Sequence, residues 1–179
     1  MKPAAHTGIA GALAVLLSAV ALAVDTAAID QDVSATLDRF YTLSGLSKGV
    51  EQYAAAILVF PKITKAGVGV GGEYGDGALL ENGKTVGYYS ISGASVGLTL
   101  GMSRHSQVIL FNTTEARDMF LNDGNWSFGA NASIAVMRKD TGGIDSETLK
   151  KPVVAFVFGE KGLMGDASLQ GAKIRKIVQ

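Results

Sequence analysis

The sequence predicts an α+β domain, with N-terminal helices followed by a β-rich antiparallel meander or barrel-like sheet that carries one inserted short helix. Three observations carry this prediction. An amphipathic helical period sits early in the chain, at Ile29, Val33, Leu37, Phe40 and Tyr41. Between Phe60 and Gly101 stand 11 of the 23 glycines, set among valines, tyrosines and leucines that favour strands. Glycine this dense in a disordered segment would come with few branched and aromatic residues, so these glycines are placed within strands and turns. Finally, Asn82-Gly83 lies between apolar runs, and a type I′ hairpin needs two positive φ angles there.

At the N-terminus, Lys2, the apolar run from Ile9 to Val24 and the small-x-small ending Ala21-Leu22-Ala23 read as a signal peptide over 1–23. A retained anchor is the alternative, but the apolar run falls short of the ~20 residues that span a bilayer, and no basic cluster follows it. Cleavage after Ala23 leaves 24–179, or 156 of the 179 residues, a length that suits one domain. In the first helix, Asp30, Asp32, Asp38 and Arg39 are left to the polar face, and Gly45 ends it. A second, shorter helix is expected after Ser47, through Val50, Tyr53 and Ala54, with the apolar run Ile57-Leu58-Val59-Phe60 stopped by Pro61.

Strands are then expected at Val68 and Val70, 78–80, 85–91, 96–102 and 107–111, with polar turns between them, one of them around His105. Asn112-Thr113-Thr114-Glu115 reads as a capping box opening the short helix, with Ala116, Met119 and Phe120 on its inner face and Asn122-Asp123-Gly124 closing it. Strands resume over 126–137, a polar loop covers 138–151, and 153–158 and 163–178 supply the last strands.

Composition excludes several function classes. Sixteen basic residues balance sixteen acidic ones, so bulk charge does not support nucleic-acid binding. The absence of cysteine excludes disulfides, thiolate metal sites, a cysteine nucleophile and the acylated cysteine of a lipoprotein. An exported domain without disulfides points to a bacterial periplasm. Only His105 remains after cleavage at Ala23, which rules out a histidine-rich metal site and leaves a serine triad without partners. Neither a cofactor nor an enzymatic activity is expected.

Two glycine patterns imitate nucleotide sites. Gly67, Gly69 and Gly72 satisfy G-x-G-x-x-G, yet the mechanism needs a helix N-terminus to receive the pyrophosphate, and Glu73-Tyr74-Gly75-Asp76-Gly77 cannot start one. The segment from Ala78 to Thr85 matches a relaxed phosphate loop, but its variable positions hold two leucines, a repelling glutamate and the hairpin asparagine. No nucleotide is therefore expected, and Lys84 reads as a hairpin lysine. Gly93, Gly97 and Gly101 share one strand face, and Gly67, Gly69 and Gly71 make a second, both bare enough for a backbone, a ring or a ligand to lie close.

The run ILVFPKITKAGVGVGGEYGDG at 57–77, continued by Lys84-Thr85-Val86-Gly87-Tyr88-Tyr89 and Gly93-Ala94-Ser95-Val96-Gly97, closely resembles the SYLF domain. That module is also found in actin-patch and SH3-containing proteins of eukaryotes. The likeness extends through Gly162-Leu163-Met164 and Ser168-Leu169-Gln170-Gly171, covering the chain from about Asp32 onward. The resemblance implies a non-catalytic domain that binds membrane lipid. In eukaryotes the ligands are phosphoinositides, and some members bind actin.

A periplasm offers neither, so anionic phospholipid or a membrane surface is the expected partner, with an envelope protein as the alternative. Lys62 and Lys65 beside Pro61 are the first candidates for a head group, and Lys84 and Arg104 are further ones. Lysines at a charged membrane contribute about 1 kcal/mol each, so an apolar contribution is needed too. The first helix would supply it by inserting, but its acidic polar face favours packing on the sheet.

Overall fold

A computed structural model describes residues 24–44, 53–124, 126–127, 135–136, 149–159, 162–163 and 171–177. The leader at 1–23, most of the second expected helix and most of the loop at 138–151 lie outside the described residues. The described elements are α1 (Thr26–Ser44), β1 (Ala56–Glu81), β2 (Lys84–Phe111), α2 (Thr114–Asn122), β3 (Trp126–Ser127), β4 (Ala135–Val136), β5 (Val153–Gly159), β6 (Gly162–Leu163) and β7 (Lys173–Lys176).

The expected meander is in fact one very long hairpin. β1 and β2 pair antiparallel from Ala56↔Phe111 to Glu81↔Lys84. Asn82 at φ 50° and Gly83 at φ 75° form the turn that the Asn-Gly pair predicts. The segments read as glycine turns, Glu73 to Gly77 and the residues around His105, are strand. The chain after each nucleotide-like glycine cluster is also strand, with no helix N-terminus to meet a phosphate. Nor does Pro61 stop the apolar run before it. Ala56 to Phe60 already belong to β1, and Pro61 sits where the register shifts between Phe60 and Ile63, the kind of irregular position at which a strand tolerates a residue without an N–H.

A straight strand of 26 residues would span roughly 85 Å, far more than a domain of this size can cover. β1 instead folds back on itself about Gly69. A Cβ on Gly67 would stand 2.6 Å from the Val70 carbonyl oxygen and overlap Gly71, and one on Gly75 would stand 2.6 Å from the Lys62 carbonyl oxygen. A Cβ on Gly77 would overlap the Val59 carbonyl and come within 2.7 Å of the Phe60 ring. The two halves of the hairpin therefore lie face to face. Of the occupants open to the face of Gly67 and Gly71, a backbone, a ring or a ligand, the one present is the strand's own backbone, while Gly93 of the other face meets the Glu73 side chain and Ala172.

The remaining strands extend the two halves. β5 pairs with β2 over Ser106 to Phe111, forming a base layer, and β7 pairs with β2 over Tyr89 to Ser92, forming a tip layer. β3 joins β7, β6 joins β5, and β4 runs parallel to β5, the one departure from antiparallel pairing among the described residues. The result is a seven-stranded, curled half-barrel.

Between the layers Leu58, Phe60, Ile63, Ile109, Phe111 and Val157 meet Leu79, Tyr89, Ile91, Trp126 and Ile174. The opposite face of the base layer, with Ile57, Val59, Leu110, Phe156 and Phe158, is covered by Val33, Phe40 and Tyr41 of α1. Burial on both faces explains why 57–60, 108–111 and 153–158 read as unbroken apolar runs without alternation. Phe40 stands edge-on to Phe156 at 4.8 Å, so the helix packs on the sheet, as its acidic face suggested.

α2 caps the far side. Thr113, and not Asn112, is its N-cap, accepting from the Ala116 N–H at 3.2 Å, while the Asn112 amide donates to the carbonyls of Leu149 and Lys151. Ala116 and Phe120 face the core, whereas Met119, expected inside, is exposed.

Candidate functional site

The fold-back and the base-layer register together build a basic groove. It has a volume of about 450 Å³ and is lined by Asp32, Thr36 and Arg39 of α1, Pro61 and Lys62 of β1, Arg104, His105 and Ser106 of β2, and Gly159 of β5. Each cation arrives for a local reason. The shift at Pro61 leaves Lys62 at the groove, and the Ser106 hydroxyl fixes that backbone by donating to the Pro61 carbonyl at 2.7 Å. Arg104 stands opposite Thr64 in register. The Arg39 guanidinium lies 5.0 Å above the Phe158 ring and donates to the Gly159 carbonyl at 2.8 Å, which ties α1 to the end of β5. Three cations, of which Arg39 is held in place, thus share the groove with one carboxylate, Asp32.

Of the four sequence candidates, Lys62 and Arg104 come together in this groove. Lys65 stands beside it. Its ammonium acts on His105, whose imidazole is held below its ordinary pKa chiefly by burial and then by Lys65. Lys65 also faces Glu73, brought opposite it by the fold-back. Burial pushes the Glu73 carboxyl up, and Lys65 partly offsets the shift. Lys84 adjoins the hairpin turn and does not line the groove.

Sequence reasoning missed Arg39, which read as a solvated helix residue, and His105, which read as part of a turn. No local signal marks either one. Their membership depends on α1 lying across the base layer.

A second cleft, of about 430 Å³, runs between α1 and the hairpin turn, lined by Asp30, Val33, Leu37, Tyr41, Ile57, Leu80 and Thr85 among others. Asp30, expected on the solvent face, accepts from the hydroxyls of Thr85 and Tyr88 at 2.8 Å each and so pins the helix to the turn end of the hairpin. That bond holds the Tyr88 phenol above its usual pKa.

Among the described residues no group of three or more His, Asp or Glu side chains is placed to hold a metal ion, and no helix is long and apolar enough to cross a membrane. What the basic groove can do chemically is bind an anion. It offers two guanidinium groups and an ammonium from three different elements.

Residues 92–177 match the family model described as Ysc84, Las17-binding protein actin regulator. The matched part runs from the middle of β2 through α2 and the later strands to the end of β7, and it begins after the glycine-rich run at 57–77. No curated protein matches the chain.

Proposed function

We propose that the chain carries a SYLF domain of the Ysc84 family and is a non-enzymatic lipid-binding protein of the bacterial envelope, exported to the periplasm, which holds the anionic head group of a phospholipid in the basic groove. The observation that carries this reading is the convergence of Lys62, Arg104 and Arg39 on one groove beside Lys65. Cations at an anionic surface contribute about 1 kcal/mol each, so the three supply roughly 3 kcal/mol, enough to favour charged over neutral membranes by about two orders of magnitude. Such binding weakens as salt is raised.

Flotation of the protein with phosphatidylglycerol vesicles and with phosphatidylcholine vesicles tests this. Binding is expected only to the former, and Lys62→Gln with Arg104→Gln is expected to weaken it about 30-fold. Equal recovery with both vesicle types, or an unaffected double variant, would count against the groove.

A second reading, a protein-interaction module of the envelope, draws on the family description and on β1. Among the described residues β1 pairs only with β2, so its other edge has no strand beside it. Register shifts at Phe60/Ile63, Val68/Val70 and Leu79/Leu80 interrupt that edge, a common protection against strand addition, and so favour the lipid reading.

A further inference from the structure

The fold-back of the hairpin has an outer side as well as an inner one. On the concave side Gly67 and Gly71 meet, with Gly101 as the register partner of Gly67. Strand alternation then places Ala66, Val68 and Val70 on the convex side, together with Met102, the register partner of Ala66. Val68 is 78% exposed, Val70 69% and Met102 66%. Single exposed apolar residues are ordinary, but a contiguous crest of them at the apex of a bend is not. Arg104, opposite Thr64, follows on the same face. Across 62–72 and 92–104, the two arms of the bend, the sequence holds Lys62, Lys65 and Arg104 and no acidic residue.

We infer that this crest, Val68, Val70 and Met102 at the apex of the folded hairpin, is the part of the protein that enters the apolar boundary of an anionic bilayer, while Lys62 and Arg104 of the adjoining groove meet its head groups. The inference rests on the lipid-binding reading and adds the element that penetrates. Two observations favour a bilayer over a protein partner or a second copy of the chain. The crest has no aromatic residue and is flanked by two lysines, whereas the centres of protein interfaces are rich in aromatics and poor in lysine. Moreover α1 has already buried Val33 and Phe40 against the base layer and leaves Leu43 as a single exposed leucine, and α2 exposes Met119 and Leu121 only beside Glu115 and Asp118, which oppose an anionic surface. The apolar contribution that a few cations need in order to hold a membrane therefore falls to the crest.

The chain has no cysteine, so a single substitution gives a unique labelling site. Val70→Cys, Leu43→Cys on α1 and Lys84→Cys beside the hairpin turn would each carry an environment-sensitive NBD dye. Vesicles of phosphatidylglycerol and phosphatidylcholine in equal parts would be added, with and without nitroxide-bearing acyl chains. The label at Val70 is expected to shift to the blue and to be quenched by the nitroxides, while the other two stay water-like. In flotation, unlabelled Val68→Ser with Val70→Ser is expected to bind at least about tenfold more weakly, with an unchanged melting temperature.

If the protein floats but the Val70 label stays in water, or the Leu43 label alone moves, the crest is refuted and lipid binding stands. If the unlabelled protein does not float at all, both fall. A stable dimer without vesicles that Val70→Asp converts to monomer would overturn the inference by assigning the crest to self-association.

Discussion

Substituting Gly77 by alanine probes the fold-back of the hairpin directly. A methyl group at that position overlaps the Val59 carbonyl oxygen and comes within 2.7 Å of the Phe60 ring, and both neighbours belong to the buried base layer. Neither yields cheaply, because one is backbone and the other is enclosed on all sides. Overpacking of this kind costs about 1–3 kcal/mol, which for a chain of this length lowers the melting temperature by roughly 2–12 °C. Gly72→Ala is the control. Its new Cβ meets only the Gly93 carbonyl oxygen at 3.7 Å, an ordinary contact, so the smaller entropy of the unfolded chain should stabilise the protein by about 0.4–1 kcal/mol. Urea unfolding followed by the fluorescence of Trp126, the only tryptophan and a buried one, reads both variants. Were the two to shift the midpoint equally, at unchanged slope, the halves of β1 would not be in contact and the layered arrangement would be wrong.

Two further outcomes concern the same region. Gln107 is fully buried beside Phe60 and Val157, and neither its amide nitrogen nor its oxygen finds a hydrogen-bond partner. Gln107→Leu is therefore expected to raise stability by about 1–3 kcal/mol in the same unfolding assay, and a loss would show that the amide is satisfied in solution. His105 titrates below its ordinary 6.5 in the fold, so its contribution to stability is present above that value and is lost as pH falls through the lower, folded pKa. Melting temperatures measured from pH 7 to pH 5 should fall less steeply for His105→Gln than for the parent, and parallel curves would disprove the assignment.

Local chemistry made much of the fold legible. The stripe from Ile29 to Tyr41 gave α1, Asn82-Gly83 gave the hairpin turn, and the apolar runs at 107–111 and 153–158 gave two strands of the base layer, whereas the run at 57–60 read as the end of a helix. The glycines misled in one respect. A glycine that opens a turn and one that lets two backbones touch look alike in sequence, so Gly75 and Gly77 suggested a turn where the strand continues beneath Val59 and Lys62. Pro61 misled in the same way, because a register shift in a strand and the end of a helix are both places where a missing N–H does no harm. The groove was half legible. Lys62 and Arg104 stand out as cations beside strand irregularities, but Arg39 joins them only through its bond to Gly159, a contact spanning 120 positions that no periodicity reports.

The length of the hairpin also bears on how the chain reaches its native state. Pairing runs without a break in partner from Glu81↔Lys84, next to the turn, out to Ala56↔Phe111, so each new rung closes only a small additional loop once the previous one has formed. Zipping outward from Asn82-Gly83 is thus an inexpensive early route to a protein whose final contacts are mostly long-range. β5 and β7 make their longest pairings with the two stretches of β2 they flank, and should dock once those are in place.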